Sequence, residues 1–124
     1  MLTGAAKLFG VVFLFIGILG FIPGATTDGH MLLGIFHINT LHNIIHMASG
    51  AVALIAGFSG ASGSQMYFKI FGVIYTLVAV LGIFYGDNPI LGLVANNAAD
   101  VVLHFVIAAA ALYLGFGIKK AVTT

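Results

Sequence analysis

Cysteine is absent from the chain, which excludes disulfides, thiolate metal sites, zinc fingers and cysteine nucleophiles. Arginine and tryptophan are absent too, and three aspartates and four lysines carry all the fixed charge of 124 residues. That is 6% charged, where a water-soluble domain draws about a quarter of its residues from Asp, Glu, Lys and Arg. The formal net charge of +1 leaves no basic surface for nucleic acid. No nucleophile motif or glycine-rich phosphate loop occurs, so a catalytic triad or a nucleotide site has nothing to stand on. What the chain does have is apolar bulk: 61% of it is hydrophobic, with a mean hydropathy of +1.20. A soluble monomer is excluded, and the lipid bilayer is the expected solvent.

A spanning helix needs about 20 predominantly apolar residues. Four stretches qualify, approximately residues 5–22, 40–58, 66–85 and 97–117. The intervening Gly, Ser, Asn and Pro clusters, at 58–64 and 85–89, read as loops. The first stretch has the look of a secretory signal peptide, with Lys7 before an apolar run, but an internal copy argues against that reading. Residues 7–20 read K-L-F-G-V-V-F-L-F-I-G-I-L-G and residues 69–82 read K-I-F-G-V-I-Y-T-L-V-A-V-L-G. The match continues from Leu33-Gly34 to Leu91-Gly92, from Asn39 to Asn97, from His42 to Asp100 and from His46 to His104. The chain is therefore expected to be one transmembrane domain over residues 1–124. It would be an all-α four-helix bundle of two tandem two-helix repeats, about 5–58 and 66–117, related by a pseudo-twofold axis along the membrane normal.

Lysine excess marks the cytoplasmic side of a membrane protein. Lys7, Lys69, Lys119 and Lys120 lie at the N-terminus, the middle loop and the C-terminus, whereas Asp28 and Asp87 occupy the other two loops. Both termini are thus expected in the cytoplasm, in a multi-pass protein of the inner (plasma) membrane. The outward loops, 23–39 and 86–96, contain the apolar runs L-L-G-I-F and I-L-G-L-V, which read as segments lying at the interface or folded back over the bundle.

Gly10, Phe13, Gly17 and Gly20 share one helical face, and Gly72, Tyr75, Ala79 and Gly82 repeat it in the third span. Such faces let helices approach closely in lipid, and this one reads as internal packing, a groove for a flat cofactor or a contact with a second protomer. The second span places Asn39, His42 and His46 on one side, and the fourth places Asn97, Asp100 and His104 likewise. Ionisable groups at membrane depth turn inward, because facing acyl chains costs on the order of 3 kcal/mol. His42, His46, Asp100 and His104 should therefore converge. At about 1.5 Å per residue they lie roughly 5–10 Å below the outer helix ends, in a site expected to open outward.

Three imidazoles and one carboxylate make a chemically sensible ligand set for zinc, copper, iron or manganese. Haem is a second cofactor reading, with His46 and His104 as matched axial ligands and Gly50 and Ala108 leaving room one turn deeper. A third reading is structural: Asn39 and Asn97 cap their helices and the histidines merely lock two hairpins together, in an accessory subunit of a larger complex or in a homo-oligomer. A fourth is a proton or ion path through Asp100. His30 and His37 on the outer loop default to solvent or interface exposure, with capping or ligand donation as the other reading. Met47 defaults to packing beside the site, and Tyr75 to an ordinary interior position or a hydrogen bond toward the cluster.

The runs L-F-G-V-V-F-L-F-I-G-I-L-G-F, N-T-L-H-N-I-I-H-M-A-S-G and N-N-A-A-D-V-V-L-H resemble the bacterial membrane proteins grouped as the domain of unknown function 4383 family, over nearly the whole chain. The resemblance implies a small four-helix membrane protein whose halves carry N-x-x-H-N-x-x-H and N-x-A-D-N-x-x-H elements. These fall on Asn39, His42, Asn43 and His46, and on Asn97, Ala99, Asp100 and His104. Val101 departs from the second element, where an asparagine is usual. The resemblance implies architecture and candidate residues, and no activity.

Overall fold

A computed structural model describes residues 1–119; Lys120, one of the four lysines that orient the chain, lies outside the described residues. Four helices, α1 (Leu2–Leu19), α2 (Thr40–Ser59), α3 (Ala61–Tyr85) and α4 (Ala98–Leu112), carry the chain, and α4 runs on into a wider π turn, Tyr113–Gly117. Each is long and apolar enough to cross a bilayer, since 18 to 25 residues at about 1.5 Å each match a hydrocarbon core of about 30 Å. The all-α membrane bundle expected from composition is the fold observed.

Its packing inverts that of a soluble domain. Leu8, Phe15, Ile55, Leu77, Ile83, Val102 and Val106 lie exposed around the outside, while Ala6, Gly10, Ala53, Gly72, Ala79 and Ala108 are buried with a set of polar side chains. Apolar groups gain nothing by leaving acyl chains, so small residues that let backbones touch and polar groups that need partners take the interior. The contacts are tightest within each hairpin. A Cβ on Gly50 would lie 2.8 Å from both Gly10 O and Leu14 N, and one on Gly115 2.6 Å from Lys69 N. The small-residue faces are thus spent on α1 against α2 and α3 against α4, which decides among the readings open for them. Between the hairpins, α3 packs against α2 and α1, and Phe9 and Phe13 of α1 meet Tyr67, Phe68, Phe71 and Tyr75 of α3 in an aromatic core of mostly tilted and edge-on contacts. Tyr67 donates to Ser49 O at 3.0 Å, and Tyr75 Oη and Ser49 Oγ share a bond of 2.9 Å.

The spans differ from expectation at their ends. The inner break, expected over residues 58–64, is a single residue: Gly60, at φ 122°, separates Ser59 from Ala61. Serine and glycine signalled a loop, but Ser59 Oγ donates to Ala56 O at 2.8 Å and Ser64 Oγ to Gly60 O at 2.8 Å, so these side chains serve the turn from within the helices. α1 is shifted three residues toward the N-terminus because Pro23 opens a short 3-10 turn, Pro23–Ala25, and the chain must leave the helix before it.

The outer loops are folded back over the bundle. The first forms a three-stranded antiparallel sheet of two-residue strands, β1 (Thr26–Thr27), β2 (Met31–Leu32) and β3 (Phe36–His37), with Thr27 opposite Met31 and Leu32 opposite Phe36. The second is shorter and holds one bridge, Ile90 to Val94. Both turn at a leucine–glycine pair in the left-handed region, Leu33 (φ 54°) with Gly34 (φ 72°) and Leu91 (φ 54°) with Gly92 (φ 72°). Ile35 N and Leu93 N close these turns on Leu32 O and Ile90 O, the geometry that two-residue hairpins favour. Leucine rather than asparagine at φ 54° costs about 1–2 kcal/mol at each turn.

Candidate metal centre

Helix capping sets the site's register. Asn39 Oδ1 accepts from His42 N at 2.9 Å, and Asn97 Oδ1 accepts from Asp100 N at 2.9 Å, so each asparagine satisfies an amide at the start of the helix that carries the candidate side chains. The same asparagines reach across the hairpins. Asn39 Nδ2 donates to Leu93 O in the second outer loop at 2.9 Å, and Asn97 Nδ2 donates to Ile35 O in the first at 3.0 Å.

Below this brace, His42, His46 and His104 come together. Each offers a ring nitrogen, and these atoms lie within 4.8 Å of one another, all three residues being buried. The ring centroids are 4.7 Å apart for His42 and His46, 5.6 Å for His42 and His104, and 5.9 Å for His46 and His104. Phe13 stacks on His46 at 5.9 Å, Tyr75 lies 5.7 Å from His104, and the two rings meet each other at 5.6 Å to floor the cluster.

The nitrogens are unequally employed. His42 Nδ1 lies 2.9 Å from Ala95 O, and since a carbonyl only accepts, Nδ1 carries the proton and Nε2 is the nitrogen left for another partner. His46 Nε2 and His104 Nδ1 are buried without a hydrogen-bond partner among the described residues. An unpaired polar atom in such a place costs about 1–3 kcal/mol, so a trio of imidazoles with two orphaned nitrogens has capacity for a further partner.

Asp100 is placed one turn above His104 and outside that trio. Its Oδ2 accepts from His37 N at 3.1 Å, and it shares a crevice next to α1 with His42 and His46. Asp100 and His42, which occupy matching places in α4 and α2, thus do opposite electrostatic jobs: the carboxylate takes an N–H from one outer loop, and the imidazole gives an N–H to a carbonyl of the other. His37 is half-buried rather than left to solvent, its Nδ1 lying 3.3 Å from Asn96 O, whereas His30 is exposed.

Haem finds no slot. The space expected below His46 is closed where Gly50 abuts Gly10 and Leu14, and Ala108 is packed with Phe13 and Tyr75. Met47 packs on Gly17 of α1, beside the site. The site does not open outward either: the outer loops lie over it, with their own Ile38, Ile90 and Ala95 buried and Ala95 O bonded to His42 Nδ1. Sequence reasoning missed Ser49 and Asn96. Ser49 follows His46 by three residues on the same helical face, a signal available from spacing. Asn96, which donates to Gly82 O and Gly86 O at the end of α3, carried none.

No curated protein and no solved structure matches the chain. Residues 4–117 match the family model described as Domain of unknown function (DUF4383), and the chain belongs to that family.

Proposed function

We propose that this protein is a membrane-embedded module that binds one transition-metal ion through His42, His46 and His104. The observation that carries the reading is the division of labour among the nitrogens: two are buried and orphaned, and the third ring is held by a backbone carbonyl through its other nitrogen. Ligating histidines are commonly oriented in that way. Three neutral imidazoles suit copper, zinc or iron, and the set is poorer in oxygen than manganese prefers. Asp100 lies adjacent but is engaged with His37. The matching caps, turns and faces of the two hairpins support reading the chain as a duplicated unit, with the site formed where the copies meet. Lys7, Lys69 and Lys119 lie toward the end of the bundle away from the metal centre, which supports cytoplasmic termini and a centre near the opposite, outer surface.

Elemental analysis of detergent-purified protein after incubation with Cu(II) or Zn(II) and removal of loose ions tests the reading. About one ion per chain is expected, lost in the His46→Asn/His104→Asn variant. Wild-type protein that takes up neither metal overturns it. A purely structural lock predicts no uptake and a lower melting temperature in the double variant.

A further inference from the structure

Three protein nitrogens leave the fourth position of a tetrahedral ion open, as catalytic and ligand-exchanging sites do. Beside the cluster lies a cavity of about 270 Å³ between α2 and α3, walled by the three histidines and otherwise almost wholly by aliphatic and aromatic side chains. Its two hydroxyls, Ser49 Oγ and Tyr75 Oη, are bonded to each other, so its wall is almost wholly apolar and the three imidazoles border it. No charged side chain lines it. Ile90, 5% exposed, and Val94 bridge over its outer end, while Val52 and Ile74 at its flank are 43% and 42% exposed. The mouth thus faces acyl chains and the roof faces water.

Resting on the metal reading above, we infer that this chamber admits a neutral lipophilic molecule about one substituted aromatic ring in size. It enters sideways from the bilayer between α2 and α3 and sets an oxygen or nitrogen donor on the ion's open position. The size follows from volume: a dry apolar cavity of about 150 Å³ holds benzene, so the larger space here takes a ring with short substituents. Neutrality follows from the apolar walls, which give a charged substituent held away from the ion no partner to replace its water. The donor atom follows from the metal, which would otherwise keep a position facing hydrocarbon.

Cobalt(II)-loaded protein in detergent micelles, titrated with 4-methylpyridine and followed in the visible ligand-field bands, tests this. A saturable spectral change is expected with 4-methylpyridine. Toluene, of the same size but without a donor, should leave the bands in place and compete, and 4-(aminomethyl)pyridine should bind at least about tenfold more weakly because its remote ammonium must shed water among apolar walls. Val52→Trp, at the lipid-facing mouth, should weaken 4-methylpyridine at least about tenfold by filling the entry, with cobalt uptake unchanged. Cobalt uptake without a pyridine response, equal affinity for 4-(aminomethyl)pyridine, or undiminished binding by Val52→Trp each overturns this inference and leaves the metal reading standing. No cobalt uptake by wild-type protein overturns both.

Discussion

A methyl group added at Gly50 would meet Gly10 O and Leu14 N, both backbone atoms that cannot swing aside. Gly50→Ala must therefore push α1 and α2 apart and should lower stability by about 1–3 kcal/mol, read as a fall in melting temperature in detergent. An unchanged melting curve would mean the two helices do not touch there. The identity of such residues was legible, because small side chains at helical spacing have few uses in lipid. Their partner was not: a glycine face looks the same whether it meets its own hairpin or a second protomer. Ser49 shows the same limit, since its hydroxyl acquires meaning only when Tyr67 and Tyr75 of α3 arrive beside it.

The outer loops and the helix starts beneath them act as one element. Asn39 has two separable jobs there, capping α2 through Oδ1 and bracing the second loop through Nδ2. Asn39→Ala removes both and should cost about 2 kcal/mol of unfolding free energy. Asn39→Asp keeps the cap and loses the donor, and should cost about 1 kcal/mol. Denaturant titration of the two variants checks the order; equal losses would show that the cross-hairpin bond adds nothing. The caps could be anticipated from asparagine three residues before His42 and Asp100. The braces could not, because Leu93 and Ile35 offer only backbone carbonyls, which every residue has.

For the whole molecule, insertion direction decides which side of the membrane the histidine cluster and the cavity beside it lie near. A chain without cysteine is a ready host for single labelling sites. Asp28 in the outer loop and Ser62 beside the inner turn are both exposed and stand at opposite ends of the bundle. With cytoplasmic termini, Asp28→Cys reacts with a membrane-impermeant maleimide in intact spheroplasts, and Ser62→Cys reacts only after permeabilisation. The opposite pattern would invert the topology and place the histidines near the cytoplasmic surface.

Hydropathy and helical spacing were enough to establish four membrane-spanning helices, their inward faces and the candidates His42, His46, Asp100 and His104, because solvent preference and helix periodicity are local properties that every residue declares alone. The tertiary structure alone decided that three of those four gather while Asp100 turns to His37, that α1 covers Gly50, and that Ile90 is buried at one end of the cavity beside the histidines while Val52 and Ile74 at its flank are exposed. Each of these depends on which backbone carbonyl or which bare helix surface comes to lie opposite a given side chain. That pairing is set by how two hairpins dock, and docking is a property of distant segments taken together.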